Sequence, residues 1–216
     1  ELNKKNPELK VLLIDKGRDI FKRYCPVLNH IIERCPLDKS GQVGCLPSCS
    51  MTCGFGGAGA YSDGKFNITT EFGGWLNEYL DDKELLDLIN YCDEINLQFG
   101  ATTEITDPYN DKIRDIERRA FGAGLKLLRA KVRHLGTEQN LEILKRIYKH
   151  LEARIDMRMQ TAMKDIIVED GVCKGIILES GEEIYADKVV LGLGRDGSIF
   201  LGEVLRKHDV PLLNNQ

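Results

Sequence analysis

A chain of 216 residues is long enough for one large domain or for a domain with a smaller companion. With 42% hydrophobic and 30% charged residues and a net charge of -4, its composition is that of a globular protein, with no general attraction to nucleic acid or to an anionic membrane. No apolar run approaches a membrane span, the polar start is not a secretory signal, and seven cysteines without the spacing of a secreted scaffold predict reduced thiols in a cytoplasmic setting.

The opening Glu1-Leu2-Asn3-Lys4-Lys5 reads as the end of a helix entering a strand. Together with the open-ended close Pro211–Gln216, it predicts a fragment of a longer protein. Lys10–Asp15 is a short apolar run ending in an acid, the pattern of a strand buried on both faces in a parallel sheet. An acid at such a strand tip can accept hydrogen bonds from ribose hydroxyls or can cap the following turn. Asp19–Ile32 is loosely helical or irregular. A loop rich in Cys, Pro and Gly then runs from Arg34 to Cys53 and leads into Gly54-Phe55-Gly56-Gly57-Ala58-Gly59-Ala60-Tyr61-Ser62-Asp63-Gly64-Lys65. So little side-chain volume lets a backbone turn sharply and present N–H groups to a phosphate or a flat ring, or simply form a tight loop.

Gly74–Leu80 and Asp82–Phe99 are predicted helices. The second carries a stripe of Leu85, Leu86, Ile89, Cys92 and Ile95, with Gly100 suited to its C-terminal cap. Pro108–Gly122 reads as a helix with a solvated charged face, and Leu125–Arg133 as a strand. Thr137 is a candidate N-cap for a helix from about Glu138 to Arg154, whose buried stripe is Leu141, Leu144, Ile147, Tyr148 and Leu151. From Asp156 the period changes to that of strands. Asp156–Gln160, Ala162–Glu169, Val172–Glu179 and Glu182–Tyr185, separated by Asp170-Gly171 and Ser180-Gly181, predict a β-meander. Asp187–Gly194 reads as a second apolar strand running into glycine, and Ser198–Lys207 as a helix. Cys92 and Cys173 are expected to pack as small hydrophobes.

A strand ending in an acid, a glycine block, a meander and a final strand-to-glycine turn together resemble the two-dinucleotide-binding-domain flavoproteins, the FAD-dependent oxidoreductase superfamily. More narrowly they resemble the bacterial predicted FAD-dependent dehydrogenases. The carrying pieces are Arg34-Cys35-Pro36, the block Gly54–Lys65, Thr70-Glu71-Phe72-Gly73-Gly74-Trp75 and Arg133-His134-Leu135-Gly136-Thr137-Glu138. The resemblance implies an α/β fold. Residues 1–70 and 155–216 would form an incomplete FAD/NAD(P)-binding Rossmann-like domain with a β-meander, and 71–154 an inserted α+β substrate-side region. It also implies an oxidoreductase passing a hydride between FAD and a small organic substrate, with NAD(P)H as a candidate electron donor. Asp15 would then hold the adenosine ribose. Gly56, Gly57, Ala58 and Gly59 would lie near the flavin or its pyrophosphate, and Gly192 and Gly194 would belong to the turn that closes around the cofactor. The superfamily's Gly-x-Gly-x-x-Gly turn should precede Asp15 by about 20 residues, and no glycine precedes it here, so the first strand and its turn are expected to be missing. Gly192-Leu193-Gly194-Arg195-Asp196-Gly197 spells that pattern late in the chain, but the closing turn is the preferred reading.

Three further groups carry possible chemistry. Arg133, His134 and Lys65 are the catalytic candidates. A cation and an imidazole before a helix start can hold an anionic substrate group, and Lys65 with Asp63 can polarise a substrate. Cys35, Cys45, Cys49 and Cys53 could supply four thiolates, but not at Cys-x-x-Cys spacing, so unliganded thiols are the expectation. The alternative to an oxidoreductase is a nucleotide- or metal-binding module built on the Cys-rich loop, without redox turnover.

Overall fold

The computed structural model describes residues 1–35 and 48–213, in two compact units: Glu1–Ala58 with Tyr148–Gln216, and Gly59–Ile147. The architecture is α/β, with both parallel and antiparallel strand pairs.

In the first unit a single helical turn, α1 (Leu2–Lys5), leads to β1 (Leu12–Asp15). β1 pairs in parallel with β4 (Asp156–Met159), from Leu12 opposite Asp156 to Asp15 opposite Met159. Parallel strands need a long crossover, and here the crossover contains the whole second unit. The meander follows as β5 (Met163–Glu169), β6 (Val172–Leu178) and β7 (Glu183–Tyr185), all antiparallel. Asp170 and Gly171 both take positive φ between β5 and β6, the backbone twist that a tight hairpin requires. Met163 and Ile166 of β5 are buried against Val204 of α5 (Ser198–Lys207), with Ile14, Leu191, Leu193 and Phe200 packed around them. Each such side chain removed from water contributes about 1.5–3 kcal/mol.

The second unit pairs β2 (Lys65–Ile68) antiparallel with β3 (Lys131–His134). Around them lie α2 (Asp82–Gln98), α3 (Asp111–Gly122) and the part of α4 (Thr137–Glu152) up to Ile147. Asp81 caps α2 by accepting from the Glu84 N–H at 2.8 Å, and Asn110 caps α3 by accepting from the Ile113 N–H at 3.1 Å. α2 ends in a left-handed residue, Gly100. The Ala101 N–H reaches back to the Asn96 carbonyl, which swings the chain inward and buries Ala101 beside Leu135 and Ile143.

Several expectations are corrected. Asp187–Gly194 is not a strand: no ladder pairs it with another strand among the described residues, Val190 is 89% exposed, and only Leu191 and Leu193 reach the core. Apolar composition made it look like a strand, but a strand needs a hydrogen-bonding neighbour. For the same reason the predicted strand Leu125–Arg133 shrinks to its end, where β2 lies alongside. Gly74–Leu80 holds only a short 3-10 turn at Leu76–Glu78. β1 is half-buried rather than dry on both faces. Cys92 is exposed; the buried line of α2 runs through Leu85 and Asp93 instead. In α4 the most enclosed side chain is Ile143, outside the expected stripe.

Candidate functional site

In the first unit the structure gathers three predicted pieces at the carboxyl end of β1. Asp15 closes that strand. Its Oδ1 accepts from the Gly17 N–H at 2.7 Å, so the turn-capping bond is formed, and Oδ2 has no hydrogen-bond partner among the described residues. At Gly17 the chain meets the glycine block. A Cβ on Gly17 would lie 2.3 Å from the Gly54 nitrogen, and one on Gly54 would lie 2.5 Å from the Arg18 carbonyl oxygen. The Phe55 N–H donates to that carbonyl at 3.1 Å. Only glycines let two backbones cross this closely. The late turn arrives through Asp196, whose carboxylate pairs with Lys16 and accepts from the Cys53 thiol at 3.4 Å. Hydrogen bonding from Lys16, then from Cys53, holds the Asp196 carboxyl below its ordinary range, and the bond to Asp196 raises Lys16.

Arg23, which the sequence reading passed over, pins this region from beneath. It is buried, and its Nε donates to the Ser50 carbonyl at 2.9 Å, its Nη1 to Phe55 at 2.6 Å and its Nη2 to Met51 at 3.2 Å. One guanidinium thus fixes the loop on both sides of Cys53-Gly54. Phe55 and Phe21 stand edge-on to Tyr148, with ring centroids 5.0 and 5.7 Å away. Burial acts to raise the nearby Cys49 thiol. Backbone donors at Met51 and Thr52, the Thr52 hydroxyl and the charge of Arg23 outweigh it, so the thiol falls below its usual value.

In the second unit the remainder of the glycine block docks onto the β3–α4 junction. The Gly59 carbonyl accepts from the Asn140 amide at 2.6 Å and from the Ser62 hydroxyl at 2.9 Å. Gly64 is buried at φ +62°, where a Cβ would lie 2.9 Å from that of Asn140. The Leu135 N–H donates to Gly64 and the Gly136 N–H to Asp63, both at 3.0 Å. This turn delivers Asp63 to a cross-strand pair, Lys65 opposite His134. Asp63 Oδ1 lies 3.0 Å from His134 Nε2, and Oδ2 lies 2.6 Å from Lys65 Nζ. The bonds from His134 and then Lys65 hold the Asp63 carboxyl at about 2, and all three groups face solvent.

Arg133, adjacent to His134, points the other way. It is buried with Asp93 in a two-point ion pair, Nε to Oδ1 and Nη2 to Oδ2, each at 2.7 Å. Its Nη1 donates to the carbonyls of Thr102 and Glu104. The planar fork is engaged with protein on every side. Lys65 and His134 are therefore brought together through Asp63, while Arg133 is directed into the floor of the unit.

At Gly57, Gly59, Gly192 and Gly194, no described residue beyond the chain neighbours has an atom within 4 Å of where a Cβ would stand. Gly197, by contrast, is required by its own turn: a Cβ there would meet that of Leu193 at 2.5 Å. Cys45 lies outside the described residues. Cys35 and Cys49 are half-buried free thiols, and Cys53 is a buried one. No group of three or more His, Cys, Asp or Glu among the described residues is arranged to hold a metal. Asp93, Asp196 and Arg23 were missed because each is an ordinary charged residue by type; their partners are distant in the chain, and no local spacing announces them.

No family model matches the chain. Short segments are similar to the tRNA uridine 5-carboxymethylaminomethyl modification enzyme MnmG of Lactobacillus johnsonii, 47% identical over 47 residues, covering 21% of this chain and 7% of that protein. The enzyme of the same name from Pediococcus pentosaceus is 44% identical over 59 residues, covering 26% of this chain and 9% of the relative. The match thus spans less than a tenth of these relatives' own length. A solved structure of L-amino acid deaminase from Proteus vulgaris, with its specific insertion sequence deleted, aligns over 94% of this chain and 51% of that one, at 16% identity and a TM-score of 0.33. No helix among the described residues is long and apolar enough to cross a membrane. The similarity in sequence is to enzymes, and each of these matches covers no more than 26% of the chain.

Proposed function

We propose that this chain is part of an FAD-dependent oxidoreductase that passes a hydride between the flavin and a small organic substrate. The observation that carries the reading is the meeting of Asp15, the Gly54 crossing and the Asp196 turn at the carboxyl end of a parallel strand. Ligands of parallel α/β sheets sit beyond such ends. The short similarity to MnmG enzymes supports an enzyme over a passive module.

The residues fit an adenine dinucleotide in three respects. Asp15 keeps an oxygen with no hydrogen-bond partner among the described residues, suited to a ribose hydroxyl. Gly57, Gly192 and Gly194 leave open space above their backbones, where a flat or phosphorylated group can approach. The Arg18 Nε is buried without a hydrogen-bond partner among the described residues, a donor in want of an acceptor. When bound, the flavin would supply the two-electron chemistry. In this reading Gly56, Gly57, Ala58 and Gly59 accommodate the cofactor, in a Rossmann-like domain of residues 1–70 and 155–216 with 71–154 as its insertion. Of the catalytic candidates, His134 and Lys65 are exposed and able to exchange a proton, with Asp63 holding both. Arg133 positions His134 by anchoring β3.

The test is titration of FAD into the chain, followed by flavin fluorescence and by retention of the flavin absorbance through gel filtration. Saturable binding is expected, weakened about tenfold in Asp15→Ala for the loss of hydrogen bonds to a charged acceptor. No binding, or binding indifferent to Asp15, would sink the assignment.

A further inference from the structure

The second unit holds a half-open cleft of about 700 Å³, in the size range of small-molecule sites. Its lining comes from the end of β2, from α2 and α3, and from the run 126–131. Charge in it is abundant but largely cancelled. Arg133 in the floor is paired with Asp93, and Arg129 in the wall is paired with Glu117, its Nε 3.2 Å from Oε1. Lys126 and Lys131 remain, exposed and without an ion pair among the described residues, against the carboxylate of Glu71, which is likewise unpaired among them. The residual charge is positive. Between the charges lie apolar surfaces that a protein ordinarily covers: Leu86, Ile105 and Leu128 are each more than a third exposed, and the Tyr109 ring faces the Arg129 guanidinium at 5.4 Å.

We infer that this cleft binds an amphipathic organic anion, with a carboxylate or similar head between Lys126 and Lys131 and a flat or branched apolar body against Tyr109, Ile105 and Leu128. The paired arginines give the site rigidity. Each already carries a bidentate carboxylate partner, so the two lysines are the groups free to answer a new negative charge. A cation of the same shape would face these lysines with only Glu71 in its favour. An uncharged ligand would leave both ammonium groups unanswered. The site lies wholly within the second unit, and its ligand is separate from the dinucleotide proposed above.

The probe is 1-naphthoate, with 1-naphthylmethylammonium as its counterpart of opposite charge, each titrated into the isotopically labelled full chain and followed by amide NMR shifts. Naphthoate should saturate, with shifts at 68–71, 105–109 and 126–131, and the ammonium probe should not. Lys126→Glu with Lys131→Glu should weaken naphthoate about tenfold, as expected for two solvent-exposed charge contacts turned repulsive. Both lysines are exposed, so the variant should keep the wild-type unfolding midpoint; if it does not, the comparison of the two probes on the unaltered chain decides. Equal binding of both probes, shifts elsewhere, or indifference to the charge reversal would overturn the inference. FAD titration of the same variant should be unchanged, so failure of one site is distinguishable from failure of the other.

Discussion

The same three side-chain types meet twice in this molecule, to different effect. In the second unit Asp63 accepts from His134 and Lys65; in the first, Asp165 accepts from His208 and Lys207. Both carboxyls are held at about 2. For Asp63 the bond from His134 leads and that from Lys65 follows. For Asp165, burial pushes upward and is overcome by Lys207, His208 and the Ile166 N–H. The trios part in solvent access: the Asp63 side chain is 53% exposed, that of Asp165 10%. Asp165 sits on β5 beneath the end of α5 and clamps helix to sheet. Asp63 sits on a turn and presents its partners outward. Similar acidity thus marks a fastening in one place and a candidate working group in the other, and burial distinguishes them.

Substitution can break that comparison. The largest effect is expected at Asp93, whose partner Arg133 is itself buried. Asp93→Ala strands the buried Arg133 and should cost about 3–5 kcal/mol in urea unfolding; a cost below that of any Asp165 variant would invert the ranking. Asp165→Asn should follow at about 1–2 kcal/mol, the partners Lys207 and His208 being more open to water.

Acid sharpens the contrast further. The folded Asp165 carboxyl is depressed from 3.8 to about 2, so its contribution is present above pH 4 and is lost as pH falls through about 2. Unfolding midpoints measured from pH 5 to 2 should fall more steeply for the wild-type chain than for Asp165→Asn. Parallel slopes would show that the clamp contributes nothing. Smallest of all, Asp63→Asn should leave the unfolding midpoint where it is, because its partners are hydrated with or without it. A loss as large as that of Asp165→Asn would make the exposed trio structural.

Local pattern carried the helices α2, α3, α4 and α5 and the meander almost to their ends, because 3.6-residue and two-residue periods are written in adjacent residues. It failed where structure depends on a distant neighbour. Asp187–Gly194 has the composition of a strand but no ladder among the described residues, and Leu125–Ala130 likewise. At the candidate sites the glycine block and its Asp63-Gly64-Lys65 tail drew notice by composition alone. The pairing of Lys65 with His134 was not readable, since it depends on the antiparallel register of β2 and β3. Arg23 and Asp93 were invisible for a related reason. A charged residue is normally solvated, and only the fold reveals that these two are enclosed.

The parallel pairing of β1 with β4 has a consequence for the order of events during synthesis. Leu12–Asp15 leaves the ribosome before its partner Asp156–Met159, which follows only after the entire second unit has been made. Until then β1 lacks the strand it pairs with among the described residues, and its apolar side chains must wait or pair wrongly. Closing so long a loop is entropically slow, whereas the meander and the β2–β3 pair with its helices can form from shorter-range contacts. The second unit should therefore be folded before the first is complete, and the carboxyl end of β1, where Asp15 lies, should be among the last places in the chain to take shape.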